Sequence, residues 1–285
     1  MTLRIVFVLL GAVGWLNAQQ KVLTAREVVT LIQQHTGVPW HGPTVDTFKA
    51  GDPDTPVTGI ATTMMATFDV LKRAAGQGAN LVITHEPTFY SHLDKTESFE
   101  AAQDSVWREK EAFIRDHHMV VWRFHDHWHM HKPDGILSGM ANALGWDRYQ
   151  REDVPNLFVL PETSLRTLAK SIQEKLGIKV LRVVGNPDLK VMKIALVPGA
   201  AGTERHLSFL RRNDVEVLVI GEVPEWETIE YVSDAAAEGR RKALILMGHI
   251  PSEQAGMASC AEWLKTFIHG TPVVFVATAE PFWMP

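Results

Sequence analysis

A single cysteine, Cys260, rules out any disulfide within the chain. Its setting, MASCAEWLKTFI, has helical spacing, so Cys260 is expected to be a small core residue and not a nucleophile. Neither sign of charge dominates: 28 Lys and Arg stand against 33 Asp and Glu, a formal net charge of −5. That mildly acidic balance lacks the basic face of a nucleic-acid binder, so nucleic acid is not an expected partner. Low-complexity tracts and repeats at solenoid periods are also missing. What remains is ordinary globular composition, 46% apolar and 21% charged over 285 residues. Such a chain can form one large domain or two smaller ones.

Long hydrophobic runs are missing as well. The apolar run from Ile5 to Leu16 falls short of the ~20 residues that a membrane span needs. It follows a lone basic residue, Arg4, and leads to Leu16-Asn17-Ala18, where Ala18 suits the last position before a signal-peptidase cut. Residues 1–18 therefore read as a secretory signal peptide, with a mature chain beginning at Gln19. With no cysteine near the cut, a lipid-anchored form is not expected. The protein is expected to be exported, periplasmic or secreted, with no stable membrane anchor after cleavage.

Beyond the leader, strand-like and helix-like runs alternate. Strands are expected at Val57–Met65, Leu81–Ile83, Met119–Phe124, Val191–Val197, Val215–Ile220, Lys242–Met247 and Pro272–Ala277. Helical stretches such as FDVLKRAAGQG, SFEAAQDSVWREKEAFIRDH and EWETIEYVSDAAAEG separate them, and the final helix is expected to start at Pro251. The pattern predicts an α/β fold with mainly parallel sheets. The stretch QREDVPNLFVLPE, Gln150 to Glu162, holds two prolines and loses periodicity. It suggests a boundary between two similar α/β domains, residues 19–155 and 156–285.

Ligands of open α/β sheets collect at the carboxyl ends of strands. Three such ends carry histidine. Leu81–Ile83 runs into Thr84-His85-Glu86-Pro87. Met119–Phe124 runs into HDHWHMH, His125 to His131. Lys242–Met247 runs into Gly248-His249, with Glu253 four residues on. A fourth end, after Ile220, carries Gly221-Glu222. If HDHWHMH were extended, His125, His127, His129 and His131 would share one face. The convergence of His249 and Glu253 is expected to depend on a strand-to-helix turn, with His249 before the helix. Imidazoles mixed with carboxylates suit zinc, iron, manganese or nickel more than calcium or magnesium.

The ordered set of motifs resembles the Nif-three-like family, dinuclear metal centre proteins often labelled type 2 GTP cyclohydrolase I. THEPTFY stands where that family has His-His-Pro. FHDHWHMHKPDGI stands where it has His-Thr-x-x-Asp. GHIPSEQAG matches its Gly-His with a glutamate four residues after the histidine, and KIALVPGAAG and VEVLVIGE match two strand ends between. The resemblance runs from about Val45 to Phe275, without the middle insertion of longer members. It implies two divalent transition-metal ions held between the two domains, and a toroidal homohexamer. By position it carries ligand roles to His85, Glu86, His129, His249 and Glu253, with Glu253 bridging. His125 would orient a ligand or move protons.

Two positions depart from that pattern: Glu86 replaces a histidine and His129 replaces an aspartate. One reading is a compensated swap that preserves the totals of imidazole and carboxylate. The other is decay, with Glu86 and His129 no longer ligands. His127 or Asp126 could also take the role of His129. The expected function is an exported dinuclear metal-binding protein, a hydrolase of a small molecule acting through a metal-activated water. The alternative is a non-catalytic periplasmic metal buffer drawing on the extra histidines His127 and His131.

Overall fold

The computed structural model describes residues 21–40 and 42–285. The leader-like segment 1–18 lies outside the described residues. The fold is α/β and contains two five-stranded sheets.

The first half opens with α1 (Ala25–His35), β1 (Phe48–Ala50), β2 (Ile60–Thr63), α2 (Phe68–Gly76) and β3 (Leu81–Thr84). The helical run that follows is split into α3 (Glu97–Ala101) and α4 (Ser105–Asp116). The break has a local cause: Gln103 adopts φ +51, and the Asp104 side chain caps α4 by accepting from the Trp107 amide at 2.8 Å. Next come β4 (Val120–Arg123), α5 (Asp126–Met130) and α6 (Gly135–Leu144).

The second half holds β5 (Leu157–Ser164), α7 (Leu165–Leu176), β6 (Arg182–Val184), β7 (Lys190–Val197), α8 (Thr203–Leu210), β8 (Val217–Ile220), α9 (Glu230–Ala237) and β9 (Ala243–Leu246). The chain ends in α10 (His249–Lys265) and β10 (Val273–Phe275).

The first sheet has the order β1-β4-β3-β2-β10 and the second β5-β7-β8-β9-β6. Edge strands β1, β5 and β6 pair antiparallel; the other pairings are parallel. The central strands β2, β3, β4, β8 and β9 are buried throughout, as expected of strands covered on both faces. The stretch read as a boundary holds most of β5. Pro161 sits where the β5–β7 register shifts, a place where a missing N–H costs no ladder bond. The strand expected near the C-terminus forms, and it pairs with β2 of the first sheet, not with the second.

Helix α10 makes that return possible. It leaves β9 of the second sheet and buries Met257, Cys260, Ala261 and Leu264 in the core under the first. Burial pushes the Cys260 thiol up, which keeps it protonated and consistent with a core role. Helix α6 lies against α10 with almost no side chain between them. A Cβ on Gly139 would come 2.6 Å from the Gly256 Cα, and one on Gly256 would come 2.6 Å from the Ile136 Cα. This pair of helices forms the layer between the two sheets, because α6 also packs Leu137, Met140 and Leu144 into the core of the second.

Candidate metal centre

Strands β3 and β4 are parallel neighbours with Thr84 opposite Arg123, so their carboxyl ends lie side by side. His85 and Glu86 follow one; His125 and α5 follow the other. Helix α10 begins at His249, so His249 and Glu253 are one turn apart on the same face. The helix starts two residues earlier than Pro251, and proline at its third position costs no intrahelical bond.

Four imidazoles meet at this junction, and each engages an oxygen through Nδ1. His85 Nδ1 donates to the Phe124 carbonyl at 3.1 Å. His125 Nδ1 pairs with Asp126 Oδ1 at 2.9 Å and His129 Nδ1 with Asp134 Oδ2 at 3.1 Å. His249 Nδ1 lies 3.3 Å from Glu222 Oε1. Because these oxygens accept, the Nδ1 atoms carry protons, and in a neutral ring Nε2 is the atom left with a lone pair. All four Nε2 atoms turn toward Glu86 or Glu253. His249 Nε2 is 3.2 Å from Glu253 Oε2 and 3.3 Å from Glu86 Oε1. His85 Nε2 is 3.7 Å from Glu253 Oε2, His125 Nε2 is 3.7 Å from Glu86 Oε1, and His129 Nε2 is 4.0 Å from Glu253 Oε1. Outward Nδ1–H bonds that orient inward Nε2 atoms are the arrangement of metal-binding histidines.

The fit to a metal is also read from what lacks a partner. His85 Nε2, His249 Nε2 and Glu253 Oε2 are buried and form no hydrogen bond. Buried polar atoms are ordinarily satisfied, so three that lack a hydrogen bond and point at one another form a place suited to a cation. Two sets place their ligand atoms within 4.8 Å of one another: His85 with His125 and His129, and His85 with Glu86 and Glu253. Gly199 makes room for the cluster: at φ +71, it would place a Cβ 2.2 Å from Glu253 Oε1.

The electrostatics agree. Burial, with His125 and His129 nearby, holds the His85 pKa well below its ordinary value, leaving a neutral ligand. Burial would raise Glu86, but His249, His125 and Arg123 outweigh it and keep the carboxylate ionised. Burial would lower His129, but Asp134 leads the carboxylates that raise it. His249 is opposed by burial yet ringed by Glu222, Glu253 and Glu86, which push it up to about 12. In the metal-free protein it therefore holds positive charge where a divalent ion would otherwise supply it.

All five residues proposed as ligands from sequence are brought together, and His125 joins them. The extended form considered for HDHWHMH does not occur, because Asp126–Met130 is helical. Helical spacing turns His127 away from His125 and His129. His127 Nδ1 binds Asp46 at 2.7 Å, and its ring stacks on Trp40 at 3.5 Å between centroids. Asp126 Oδ2 accepts from Thr44 Oγ1 at 2.8 Å. Neither can replace His129. His131 is half-buried, packs against Trp128 and Trp263, and bonds the Pro133 carbonyl.

Sequence reasoning missed three supporting residues. Asp134 had a signal, since it precedes an apolar helical run and caps α6 through the Ile136 and Leu137 amides. Arg123 also had one, being a charge inside a strand expected to be buried. Asp46 had none, because its role depends on a fold that brings it across roughly 80 residues to α5. Glu222 was visible only as a carboxylate at a strand end. Two clefts open on the cluster. One of about 580 Å³ is lined by Glu86, His125, His129, Glu253, Asn156 and Arg205. The other, about 380 Å³, runs past Glu86 and His249 along Met65, Phe68, Tyr90 and Lys110.

The chain is similar to known proteins over most of its length. Residues 44–281 match the family model described as Duf34/NIF3 (NGG1p interacting factor 3). A GTP cyclohydrolase 1 type 2 homolog of Clostridium acetobutylicum is 23% identical over 239 residues, 79% of this chain and 84% of the relative. One of Chlamydia pneumoniae is 26% identical over 245 residues, 82% and 89% of the two chains. The crystal structure of a Bacillus cereus protein related to NIF3 superposes with a TM-score of 0.72 at 15% identity, covering 93% of this chain and all of that one.

Proposed function

The chain belongs to the Duf34/NIF3 family, and from that premise we propose an exported protein that binds two divalent transition-metal ions and hydrolyses a small molecule. The observation that carries this reading is the set of buried atoms without a hydrogen bond that face one another, His85 Nε2, His249 Nε2 and Glu253 Oε2. In the proposal His85 and His249 each serve one ion and Glu253 serves both. Glu86 and His129 complete the set. His125 lies within ligand range of His85 and His129, so it acts as a third imidazole and not only as an orienting group.

A pair of divalent ions supplies an activated water and a stabilised leaving group. The protein's part is positional. Asp134, Asp126, Glu222 and the Phe124 carbonyl fix the four rings. The larger cleft admits substrate between the sheets beside Arg205 and Asn156. A phosphoester or amide-like bond fits this reading better than GTP, because nucleoside triphosphates are scarce outside the cytoplasm. Export rests on the leader sequence and predicts a mature N-terminus at or near Gln19. A homohexamer rests on the family resemblance, and light scattering at micromolar concentration tests it.

A metal buffer drawing on His127 and His131 has less support. Asp46 and Trp40 already occupy His127, and His131 lies outside the cluster. The test is elemental analysis of purified mature protein together with a screen of phosphoester and amide substrates. Two ions per chain that survive dialysis, and an activity abolished by chelator and restored by metal, are expected. More than two loosely held ions without activity would favour the buffer, and no retained ion would reject both.

A further inference from the structure

Arg123 is a guanidinium with no exposed side-chain surface, in a strand otherwise made of Val120, Val121 and Trp122. A guanidinium cannot shed its charge, so its burial demands a specific reason. Each of its three nitrogens donates a hydrogen bond. Nε donates to the His85 carbonyl at 3.0 Å and Nη1 to the His92 carbonyl at 2.6 Å. Nη2 donates to Glu86 Oε2 at 3.0 Å. Among the described residues Glu86 is the only carboxylate it reaches. Glu86 is thereby divided: Oε2 is held by Arg123, while Oε1 faces His249 Nε2 at 3.3 Å and His125 Nε2 at 3.7 Å.

We propose that Arg123 is a positioning residue of the metal centre: it makes Glu86 a one-oxygen ligand of fixed direction and cancels its charge. The Glu86–Arg123 pair then presents the cluster with a neutral donor, as the histidine at this place in the resembled motif would. The same local arrangement holds at His129, an imidazole backed by the carboxylate of Asp134 where the motif has an aspartate. Each departure is compensated by its own neighbour, so Glu86 and His129 do not compensate each other. The proposal rests on the metal reading above, and it goes further by naming the pair that must change together.

The test measures metal content and affinity by equilibrium dialysis, with the absorption spectrum of the cobalt(II)-loaded protein and a thermal melt as the folding control. Arg123→Met is expected to loosen one ion about 10–100-fold and to change the cobalt spectrum, as loss of a ligand-orienting partner does. Arg123→Lys should recover part of this, since an ammonium can meet Glu86 but not both carbonyls as well. Glu86→His alone should lose metal, because it strands a buried cation beside the ions. Glu86→His with Arg123→Met should regain it, whereas Glu86→His with His129→Asp should not. Wild-type affinity and spectrum in both Arg123 variants would reduce Arg123 to a structural ion pair and overturn the proposal. So would recovery by the His129 double variant and not by the Arg123 one. Should Arg123→Met fail to fold, the comparison of the two double variants decides. A wild-type protein that binds no cobalt defeats the metal reading itself, an outcome separate from binding that ignores Arg123.

Discussion

Glu253 is nearly inaccessible to solvent, yet its two oxygens face three different histidines. In the proposed arrangement Glu253 serves both ions, so removing it takes a carboxylate from each, whereas Glu86→Ala or His129→Ala removes one ligand from one ion. Glu253→Ala is therefore expected to abolish binding of both ions, and each of the other two to loosen one ion by about 10–100-fold. Metal content per chain after dialysis gives the ranking; a Glu253→Ala protein that kept its ions would remove it from the centre. A second residue, Lys110, titrates for reasons unrelated to metal. It is 4% exposed and donates to the Thr88 carbonyl at 2.5 Å. Burial lowers its pKa from 10.5 to about 8, against a smaller opposing pull from Asp94. Between those values the unfolded chain binds a proton that the folded one has released, so stability rises with pH across that window. Relative to Lys110→Met, the wild-type protein should gain up to about 3 kcal/mol from pH 7.5 to 10.5. Urea denaturation of both proteins checks this, and a constant difference between them would contradict it.

Element α5 shows how a short helix can be built to aim side chains. Its five residues are too few to be stable alone. Asp46 holds it by accepting from the backbone amides of His125, Asp126 and His127 at 2.6, 3.0 and 2.9 Å, and from His127 Nδ1 at 2.7 Å. The consequence is directional: with the first turn fixed, His125 and His129 face the cluster and His127 faces Trp40. Asp46→Ala leaves several buried donors without an acceptor and should cost about 3 kcal/mol. It should also weaken metal binding, although Asp46 touches no Nε2 of the cluster. Denaturation midpoints and metal content of the same preparation test both effects. Unchanged metal affinity in the destabilised protein would mean that α5 is held by other contacts.

Across the whole molecule, the candidate metal centre lies where the two sheets meet. His85 and Glu86 come from the first sheet, while His249 and Glu253 follow β9 of the second on α10. An ion bound there ties the sheets together, and folding stability gains whatever binding free energy the native state alone enjoys. At a free metal concentration of 100 Kd this is about 2.7 kcal/mol. Chelation should lower the melting temperature by roughly 5–10 °C for a chain of this size. Differential scanning calorimetry with and without chelator checks the shift. An identical melting temperature in both would show that the cluster is not occupied by metal under those conditions.

Much of this protein was legible along the chain. Central strands buried on both faces read as apolar runs, and polar groups stand out where such runs stop. That is why the α/β class and His85, Glu86, His249 and Glu253 could be picked from sequence, with the family resemblance adding His129. The helical state of HDHWHMH could not be, because alternation in a seven-residue stretch fits a strand as well as a helix. The choice was made by Asp46, a hydrogen-bond acceptor distant in sequence. The edge strand β5 was hidden because a strand paired on one side tolerates proline and irregular patterning. Nor does the order of residues say that β10 returns to the first sheet or that Gly139 and Gly256 let two helices touch. Sequence determined which chemical groups stand at the strand ends. Tertiary structure decided which nitrogen of each imidazole points inward, and that Glu86 spends one oxygen on Arg123, because orientation is set by partners that only folding brings near.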